Sequence, residues 1–299
     1  MNRYGLGVAV LIATAALWGA NHVVARAVHD LISLPALVFW RWFIAAVLLT
    51  MVALPSLRRC APAMKEQLPQ ICLGGVLGVG VFSFLLLGGA YASPALEVGI
   101  INATTPVWVM MLGLAIGTAA ASLRASAGLT LAFLGTIAII SKGRLEDLLA
   151  LQFSVGNLWS LLGAMTFAWF SLRVRAWSRT IEPLALTVAT AWSGILIVML
   201  PAYAVSLAAN GAWLLKTDGD LSIALAAVVF IGLGPTMLGN LFYLYGVSVV
   251  GPERAASYLY LTPIFSAVMA IAWLNESFAW YHTLGIVLIL GGLLLIPRE

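Results

Sequence analysis

The chain has 299 residues, of which 63% are hydrophobic and 9% are charged, and its mean hydropathy is +1.05. Soluble globular domains carry about 25% charged residues, so this composition excludes a water-soluble fold and predicts a polytopic helical membrane protein. The net charge of +4 does not indicate a nucleic-acid partner, because the basic residues lie at the ends of apolar segments. Cys60 and Cys72 do not form a disulfide framework.

Ten apolar runs are long enough to cross a membrane, which takes roughly 20 helical residues. A spanning β-barrel would instead show short alternating strands. We expect the first run to be a retained helix and not a signal peptide, because it continues beyond Ala20 and nine spans follow. The predicted helices are about 6–28, 34–55, 68–91, 95–117, 125–141, 154–175, 184–206, 222–247, 253–273 and 281–297.

The distribution of Lys and Arg predicts the orientation, because these residues concentrate in cytoplasmic loops. The loops on the side of the N-terminus hold eight of them: Arg3, Arg58, Arg59, Lys65, Arg124, Arg175, Arg179 and Arg298. The opposite loops hold Lys142, Arg144 and Lys216. We therefore expect both termini in the cytoplasm.

The sequence carries an internal duplication. Thr105-Pro106 recurs as Thr262-Pro263, 157 residues later. The same offset relates three glycine pairs: Gly89 with Gly246, Gly128 with Gly285, and Gly135 with Gly292. An ordered set of matches at one offset is typical of a repeat.

The earlier helices of each half align more loosely, with Pro35 matching Pro183 at an offset of 148. The two predicted repeats are residues 1–146 and 147–299, each with five helices. Because five is odd, the second repeat enters the membrane from the opposite side. An inverted repeat of this kind encloses a midplane cavity that opens alternately to either face, which favours a carrier.

Several residues inside the predicted spans are candidates for function. Pro106 and Pro263 interrupt the helical hydrogen bonds at matching depths, so we expect them to be hinges that line the solute path. Glu97, near the start of helix 4, is a candidate for proton or amine binding, although a wetted interfacial residue is an equal alternative. Arg41, seven residues into helix 2, either snorkels outward or meets a carboxylate or a helix end.

Polar side chains at mid-depth should face the protein interior, either joining helices or forming a site. Together with aromatic side chains at similar depth they would line a mainly apolar pocket with few hydrogen-bonding groups, which fits a small amphipathic solute. The predicted lining residues are Trp18, His22, Asn102, Trp108, Trp169, Asn240, Tyr243 and Tyr260.

The sequence favours a protein that is not an enzyme and needs no cofactor. His22, His29 and His282 lack metal-ligand spacing. A phosphate-binding GxxxxGK[ST] motif does not occur, and no cluster of catalytic groups can be assembled at one depth. The GxxxG pairs Gly74-Gly78 and Gly113-Gly117 allow close helix contact within the monomer or in a homodimer.

The chain resembles the drug/metabolite transporter superfamily, and within it the EamA family of ten helices in two repeats. The segments that carry the resemblance are ALWGANHVVAR, LPALVFWRWFIAA, ALEVGIINATTPVW, GPERAASYLYLTPIFSAVMAIAWLNE and HTLGIVLILGG. Glu97, Gly99, Asn102 and Pro106 are similar to the pattern of YddG-type exporters of aromatic amino acids. The resemblance implies a central cavity walled by helices 1 to 4 and 6 to 9.

One position departs from the family pattern. The acid that commonly ends the fourth helix of a repeat is present as Glu276, whereas the aligned first-half residue is Ala119. A structural role of this acid in both repeats is therefore doubtful.

These observations predict a secondary transporter that exports aromatic or other hydrophobic amino acids by alternating access. Asn102, Asn240 and His22 would contact the polar end of the solute. Proton exchange through Glu97 or His22 and facilitated diffusion both remain open. The alternatives are an efflux carrier for hydrophobic cations, which predicts a dominant intramembrane carboxylate, and a lipid-modifying membrane enzyme, which needs a charged catalytic cluster.

Overall fold

The computed structural model describes residues 3–93, 95–119, 122–150, 154–211, 213–216, 219–274 and 279–296, without the side chains of residues 22, 26, 95–97, 210, 270, 271, 273 and 274. In these residues the chain forms ten long helical segments. They are α1 (Arg3–Ala27), α2 (Leu34–Glu66), α3 (Leu68–Ala92), α4 (Ala95–Asn102 and Thr105–Ala115), α5 (Leu123–Ile140), α6 (Val155–Trp177), α7 (Pro183–Ala209), α8 (Leu221–Val250), α9 (Pro252–Ser257, Tyr258–Leu261 and Thr262–Leu274) and α10 (Trp280–Leu295). A short helix, Leu145–Leu149, follows α5.

Length and composition allow eight of the described helices, α1 to α8, to cross a membrane, and α10 is a shorter apolar helix. Large apolar side chains also cover the outside of the molecule. Leu123 is 90% exposed, Val205 70% and Val287 62%. Such an apolar exterior matches a lipid environment and would be unstable in water. The prediction of an all-helical polytopic membrane protein is confirmed.

Helix α2 is longer than the sequence predicts. It continues to Glu66 with Pro55 and Pro62 inside it, whereas we expected it to end near residue 55. The extension is held by tertiary contacts. Ser56 donates to the Glu182 carboxylate, and the Glu182 N–H donates to Cys60 Sγ over 3.4 Å. These contacts with the connection between α6 and α7 offset the cost of proline in a helix.

The helices are interrupted at related places in the two halves. Residues Val76–Val81 of α3 and Gly232–Gly239 of α8 are π-helical, and the offset of 157 carries the first segment onto residues 233–238. Helix α4 restarts at Thr105, and α9 passes through a 3₁₀ turn before it restarts at Thr262. Thus both Thr-Pro dipeptides stand at helix breaks.

Helices α5 and α10 form a close glycine seam. A Cβ atom on Gly128 would lie 2.7 Å from the carbonyl oxygen of Gly292, and one on Gly135 would lie 2.7 Å from that of Gly285. Residue numbers run in opposite directions along the seam, so the helices are antiparallel. Moreover, adding 157 to one partner and subtracting it from the other converts the first contact into the second.

Other helix contacts are also exchanged between the two halves, with one offset for each partner. Gly7 of α1 packs against Val249 of α8, and Gly156 of α6 packs against Ala92 of α3. Here the glycines differ by 149 and their partners by 157. Two further contacts are related by the same two offsets: Gly75 with the Thr190 carbonyl, and Gly232 with the Arg41 carbonyl. The contact between α1 and α8 is therefore repeated between α6 and α3, and the contact between α2 and α8 is repeated between α7 and α3.

Candidate functional site

Four aromatic side chains meet in the interior of the bundle, and we call Trp18, Phe82, Phe167 and Tyr243 the aromatic cluster. Trp18 and Phe167 make an edge contact with ring centroids 5.7 Å apart. Tyr243 lies 5.3 Å from Trp18 and 5.0 Å from Phe167, and Phe82 lies 4.8 Å from Phe167. Because Trp18, Phe82 and Phe167 stand near the middle of α1, α3 and α6, the cluster lies near mid-depth.

The phenol of Tyr243 is fixed inside the cluster. Tyr243 is fully buried, and its hydroxyl lies 2.9 Å from Ser171 Oγ on α6. Since Ser171 Oγ donates to the Phe167 carbonyl at 2.8 Å, the tyrosine hydroxyl is the donor to Ser171. This arrangement satisfies both buried hydroxyl groups and orients the ring.

Two predicted site residues donate hydrogen bonds to backbone carbonyls of the π-helical segment of α8. Trp18 Nε1 donates to the Pro235 carbonyl at 3.0 Å. Asn240 Nδ2 donates to the Thr236 carbonyl at 2.8 Å and more weakly to that of Pro235 at 3.4 Å. The Asn240 amide nitrogen therefore stabilises its own helix.

Asn102 and Trp108 lie on either side of the break in α4. The Asn102 carbonyl accepts a hydrogen bond from Thr105 Oγ1 at 2.7 Å, and Trp108 Nε1 donates to Thr104 Oγ1 at 3.1 Å. Both side chains are half-buried. Trp108 packs with a small group of buried residues that includes Ala168 of α6, so it lies where α4 meets α6.

The structure places the remaining predicted residues differently. Trp169 packs against the main core. Tyr260 packs with Leu129 and Ala132 of α5, in a separate group of side chains from the aromatic cluster. Pro106 is buried and Pro263 is half-buried, each at its helix break.

The predicted His22 and Glu97 side chains lie outside the described residues. Sequence reasoning missed Phe82, Phe167 and Ser171. The signal for Phe167 was present, because the offset of 149 that relates the packing of α1 and α6 carries Trp18 onto Phe167.

Arg41 is buried on α2, between the start of that helix and the aromatic cluster. Its side chain is 6% exposed, and no described residue bonds to its Nε. The next residue, Trp42, donates to Ser83 Oγ at 2.9 Å, and Ser83 is adjacent to Phe82 of the aromatic cluster.

A partly exposed polar clamp joins α2 to the α6–α7 connection at one end of the bundle. Arg59 donates to both carboxylate oxygens of Glu182 at 3.1 and 3.0 Å, and Ser56 donates to the same carboxylate. The bonds from Arg59 and then from Ser56 lower the pKa of Glu182 below its ordinary value of 4.5. Gln67 Nε2 donates to Thr180 Oγ1 nearby at 2.9 Å.

At the other end of the bundle, aromatic stacking and backbone pairing join the start of α2 to the end of α7 and the α7–α8 connection. The rings of Phe39 and Tyr203 are stacked with centroids 4.7 Å apart, and the Tyr203 hydroxyl donates to the Trp213 carbonyl at 2.8 Å. Ile32 and Leu215 form an antiparallel bridge between the α1–α2 and α7–α8 connections. The two ends of the bundle are thus held by different contacts: a polar clamp at one end, and aromatic stacking with backbone pairing at the other.

Among the residues that the structure describes, no group of three or more His, Cys, Asp or Glu side chains is placed to hold a metal ion.

Comparisons with known proteins agree with this geometry. The chain is 25% identical over 284 residues to the uncharacterized transporter YetK of Bacillus subtilis, covering 95% of this chain and 84% of that protein. It is 25% identical over 292 residues to a probable terminal-alkyne amino-acid exporter of Streptantibioticus cattleyicolor, covering 97% of this chain and 92% of the relative. A solved crystal structure with 16% identity has the same fold, with a TM-score of 0.73 and coverage of 98% and 95%.

The sequence profile of one family matches the chain twice, over residues 5–141 and 154–298. These two matches together span most of the 299 residues, and the relatives above are named as transporters. The chain therefore belongs to the EamA-like transporter family.

Proposed function

We propose that the chain is a secondary transporter that exports aromatic or other hydrophobic amino acids across the inner membrane by alternating access. The working unit is a pair of inverted five-helix repeats, residues 1–146 and 147–299. The exchange of helix contacts between the halves supports this arrangement, as do the two family matches. The excess of Lys and Arg in one set of loops supports cytoplasmic termini.

The aromatic cluster is the observation that carries the proposal. Trp18 and Phe167 occupy related positions in the two halves and touch each other, so they lie where the axis between inverted repeats would pass. A solute site near the midplane at the repeat interface is typical of such carriers. Separation of these rings would open a mainly apolar space with the Tyr243 hydroxyl and the Trp18 indole at its wall.

The two closures at the ends of the bundle supply the gates. Breaking the Arg59–Glu182 clamp would open one face, while separating Phe39 and Tyr203 would open the other. Pro106 and Pro263, at the breaks in α4 and α9, are the bending points in this proposal. Two ways of driving transport are part of this proposal: proton exchange through Glu97 or His22, and facilitated diffusion.

Aromatic side chains and few hydrogen-bonding groups favour an amino acid with a large apolar side chain. The relative named as a probable terminal-alkyne amino-acid exporter supports the amino-acid class. Export of hydrophobic cations would need a carboxylate in the path. The four side chains of the aromatic cluster are uncharged, and the Glu253 carboxylate lies close enough to Tyr243 to interact with it electrostatically.

Transport by the purified protein in liposomes tests the proposal. We expect uptake of labelled phenylalanine and tryptophan above empty vesicles, with glycine transported poorly. Trp18→Ala and Phe167→Ala should alter this selectivity, whereas Trp280→Ala, an exposed residue at the start of α10, should not. Absence of transport across a panel of amino acids would reject the substrate class, and Glu97-dependent transport of hydrophobic cations would favour the multidrug alternative.

A further inference from the structure

Arg41 is a buried cation that the proposed transport scheme leaves without a role. Its side chain is 6% exposed, its Nε is enclosed, and the described residues offer that atom no hydrogen bond. The ion pairs recorded in the described part of the chain are His29–Asp30 and Arg59–Glu182. The positive charge of Arg41 therefore has no counterion among the described residues.

The position of Arg41 makes this charge costly. It stands seven residues after the start of α2 at Leu34, which is about 10 Å along the helix. Ionisable groups at such depth are expensive and usually serve transport or ligand binding. An exposed arginine would lower the cost by extending its head toward water, but the protein covers Arg41.

The described side chains around Arg41 do not neutralise its charge. Tyr91 of α3 lies close enough to interact with it electrostatically, but a phenol is neutral at physiological pH. The Tyr91 hydroxyl donates to the Ile32 carbonyl at 3.4 Å. On the other side, the Arg41 backbone carbonyl packs against Gly232 at the start of the π-helical segment of α8. Arg41 thus lies between α3 and α8, the two helices that carry Phe82 and Tyr243.

We propose that the Arg41 guanidinium binds the carboxylate of the solute while the aromatic cluster receives its side chain. This inference rests on the proposed function and names the group that recognises the acid. A guanidinium presents a planar pair of donors that matches the two oxygens of a carboxylate. A solute anion would supply the missing counterion during transport, and the bound pair would be electrically neutral.

A binding assay tests the inference independently of transport. The probes are 3-phenylpropionate and 3-phenylpropanol, which share the aromatic ring and chain length and differ in the carboxylate. We expect the acid to raise the thermal unfolding midpoint of the wild-type protein in detergent and the alcohol to have little effect. Arg41→Gln and Arg41→Met should weaken apparent affinity for the acid about tenfold or more, and Arg41→Lys should weaken it less.

Arg124→Gln is the matched control, because it removes an exposed cation at the start of α5, outside the aromatic cluster and both gates, and should leave acid binding unchanged. Without solute, Arg41→Met should be at least as stable as the wild type, since it removes an unpaired buried charge. Equal responses to the acid and the alcohol would overturn the inference. So would acid binding that survives Arg41→Gln, or an Arg41→Met protein less stable than wild type.

Transport separates this inference from the proposed function. If the wild type moves phenylalanine but Arg41→Gln retains its preference for phenylalanine over phenethylamine, the role of Arg41 is wrong and the carrier stands. If the wild type moves no amino acid but shows Arg41-dependent stabilisation by 3-phenylpropionate, the carboxylate site stands and the substrate class is wrong.

Discussion

At the residue scale, the buried hydroxyl pair between Tyr243 and Ser171 joins α8 to α6 inside the aromatic cluster. The two hydroxyls are not equivalent. Ser171 Oγ also donates to the Phe167 carbonyl, whereas Ser171 is the hydrogen-bond partner of the Tyr243 hydroxyl among the described residues. Removing the tyrosine hydroxyl therefore leaves a serine that is still hydrogen-bonded, whereas removing the serine hydroxyl leaves a tyrosine hydroxyl without that partner.

We predict that Ser171→Ala destabilises the protein more than Tyr243→Phe. The first leaves a buried phenolic hydroxyl without its partner, which costs about 1–3 kcal/mol. The second removes one hydrogen bond and leaves Ser171 bonded to its own helix, which costs about 0.5–1.5 kcal/mol. Unfolding in mixed detergent measures both. The double variant should resemble Tyr243→Phe, and an equal cost for the two single variants would contradict this asymmetry.

The candidate site could be predicted from the sequence only in part. Trp18 and Tyr243 were predicted to line a pocket together with the polar groups at mid-depth, and both lie in the aromatic cluster. Asn240 was expected to contact solute, yet its amide nitrogen bonds to carbonyls of α8. Those carbonyls lie in the π-helical stretch Gly232–Gly239, and residue types alone do not reveal that geometry.

At the element scale, the seam between α5 and α10 depends on specific glycines. A Cβ on Gly292 would lie 2.5 Å from the carbonyl oxygen of Gly128. This oxygen belongs to the backbone and cannot move away unless the whole helix shifts. The adjacent Gly291 has 3.6 Å of room to a side-chain atom of Leu131, which is an ordinary contact distance.

We predict that Gly292→Ala destabilises the protein by about 1–3 kcal/mol, the range for overpacking, because α10 must move away from α5. Gly291→Ala is the matched control and should change stability by less than about 1 kcal/mol. Thermal unfolding of both variants in the same detergent measures the difference. Similar midpoints for the two would show that the seam is not tightly packed.

The clamp between α2 and the α6–α7 connection explains why the length of α2 was not predictable. Pro55 suggests a helix end from local sequence, while the bonds from Ser56 and Arg59 to Glu182 bring together residues more than 100 positions apart. Hydrophobic periodicity reports which faces are apolar. It contains no information about polar partners at that distance in the chain.

We predict that the clamp makes stability depend on pH. Because bonds from Arg59 and Ser56 lower the pKa of Glu182 in the folded protein, its contribution is fully present above its ordinary value of 4.5. The contribution is lost as the pH falls through the lower folded pKa. Glu182→Gln should therefore lower the unfolding midpoint at neutral pH and lose part of the acid-induced decrease.

Asp220→Asn is the control for this pH dependence, because the pKa of Asp220 is also lowered, by bonds from Ser222, at a site away from the clamp. Asp220→Asn, added to both proteins, should leave unchanged the difference in pH-dependent stability between the wild type and Glu182→Gln. If wild type and Glu182→Gln lose stability in parallel from neutral pH to below 4.5, Glu182 does not carry the predicted linkage.

At the scale of the whole molecule, the duplication predicted from Thr-Pro and glycine spacing has a counterpart in the packing. Contacts such as Gly128–Gly292 and Gly135–Gly285 exchange under the offset of 157. Sequence spacing could suggest the later helices of each half, where glycines recur. It located the earlier helices less well, because the match of Pro35 with Pro183 has an offset of 148, whereas the packing relates α1 and α2 to α6 and α7 by an offset of 149.

Inverted repeats make a prediction about the two faces of the membrane. Asp30, between α1 and α2, and Arg179, between α6 and α7, occupy related exposed connections. Five helices separate them, so they should lie on opposite sides. Asp220, before α8, follows Asp30 by six helices and should share its side. In a Cys60→Ser, Cys72→Ser background, single cysteines at these positions should react with an impermeant maleimide accordingly: the cysteine at 179 only from the cytoplasm, and those at 30 and 220 only from outside. Labelling of the cysteines at 30 and 179 from the same side would contradict the inverted arrangement and, with it, a carrier that alternates between two related halves.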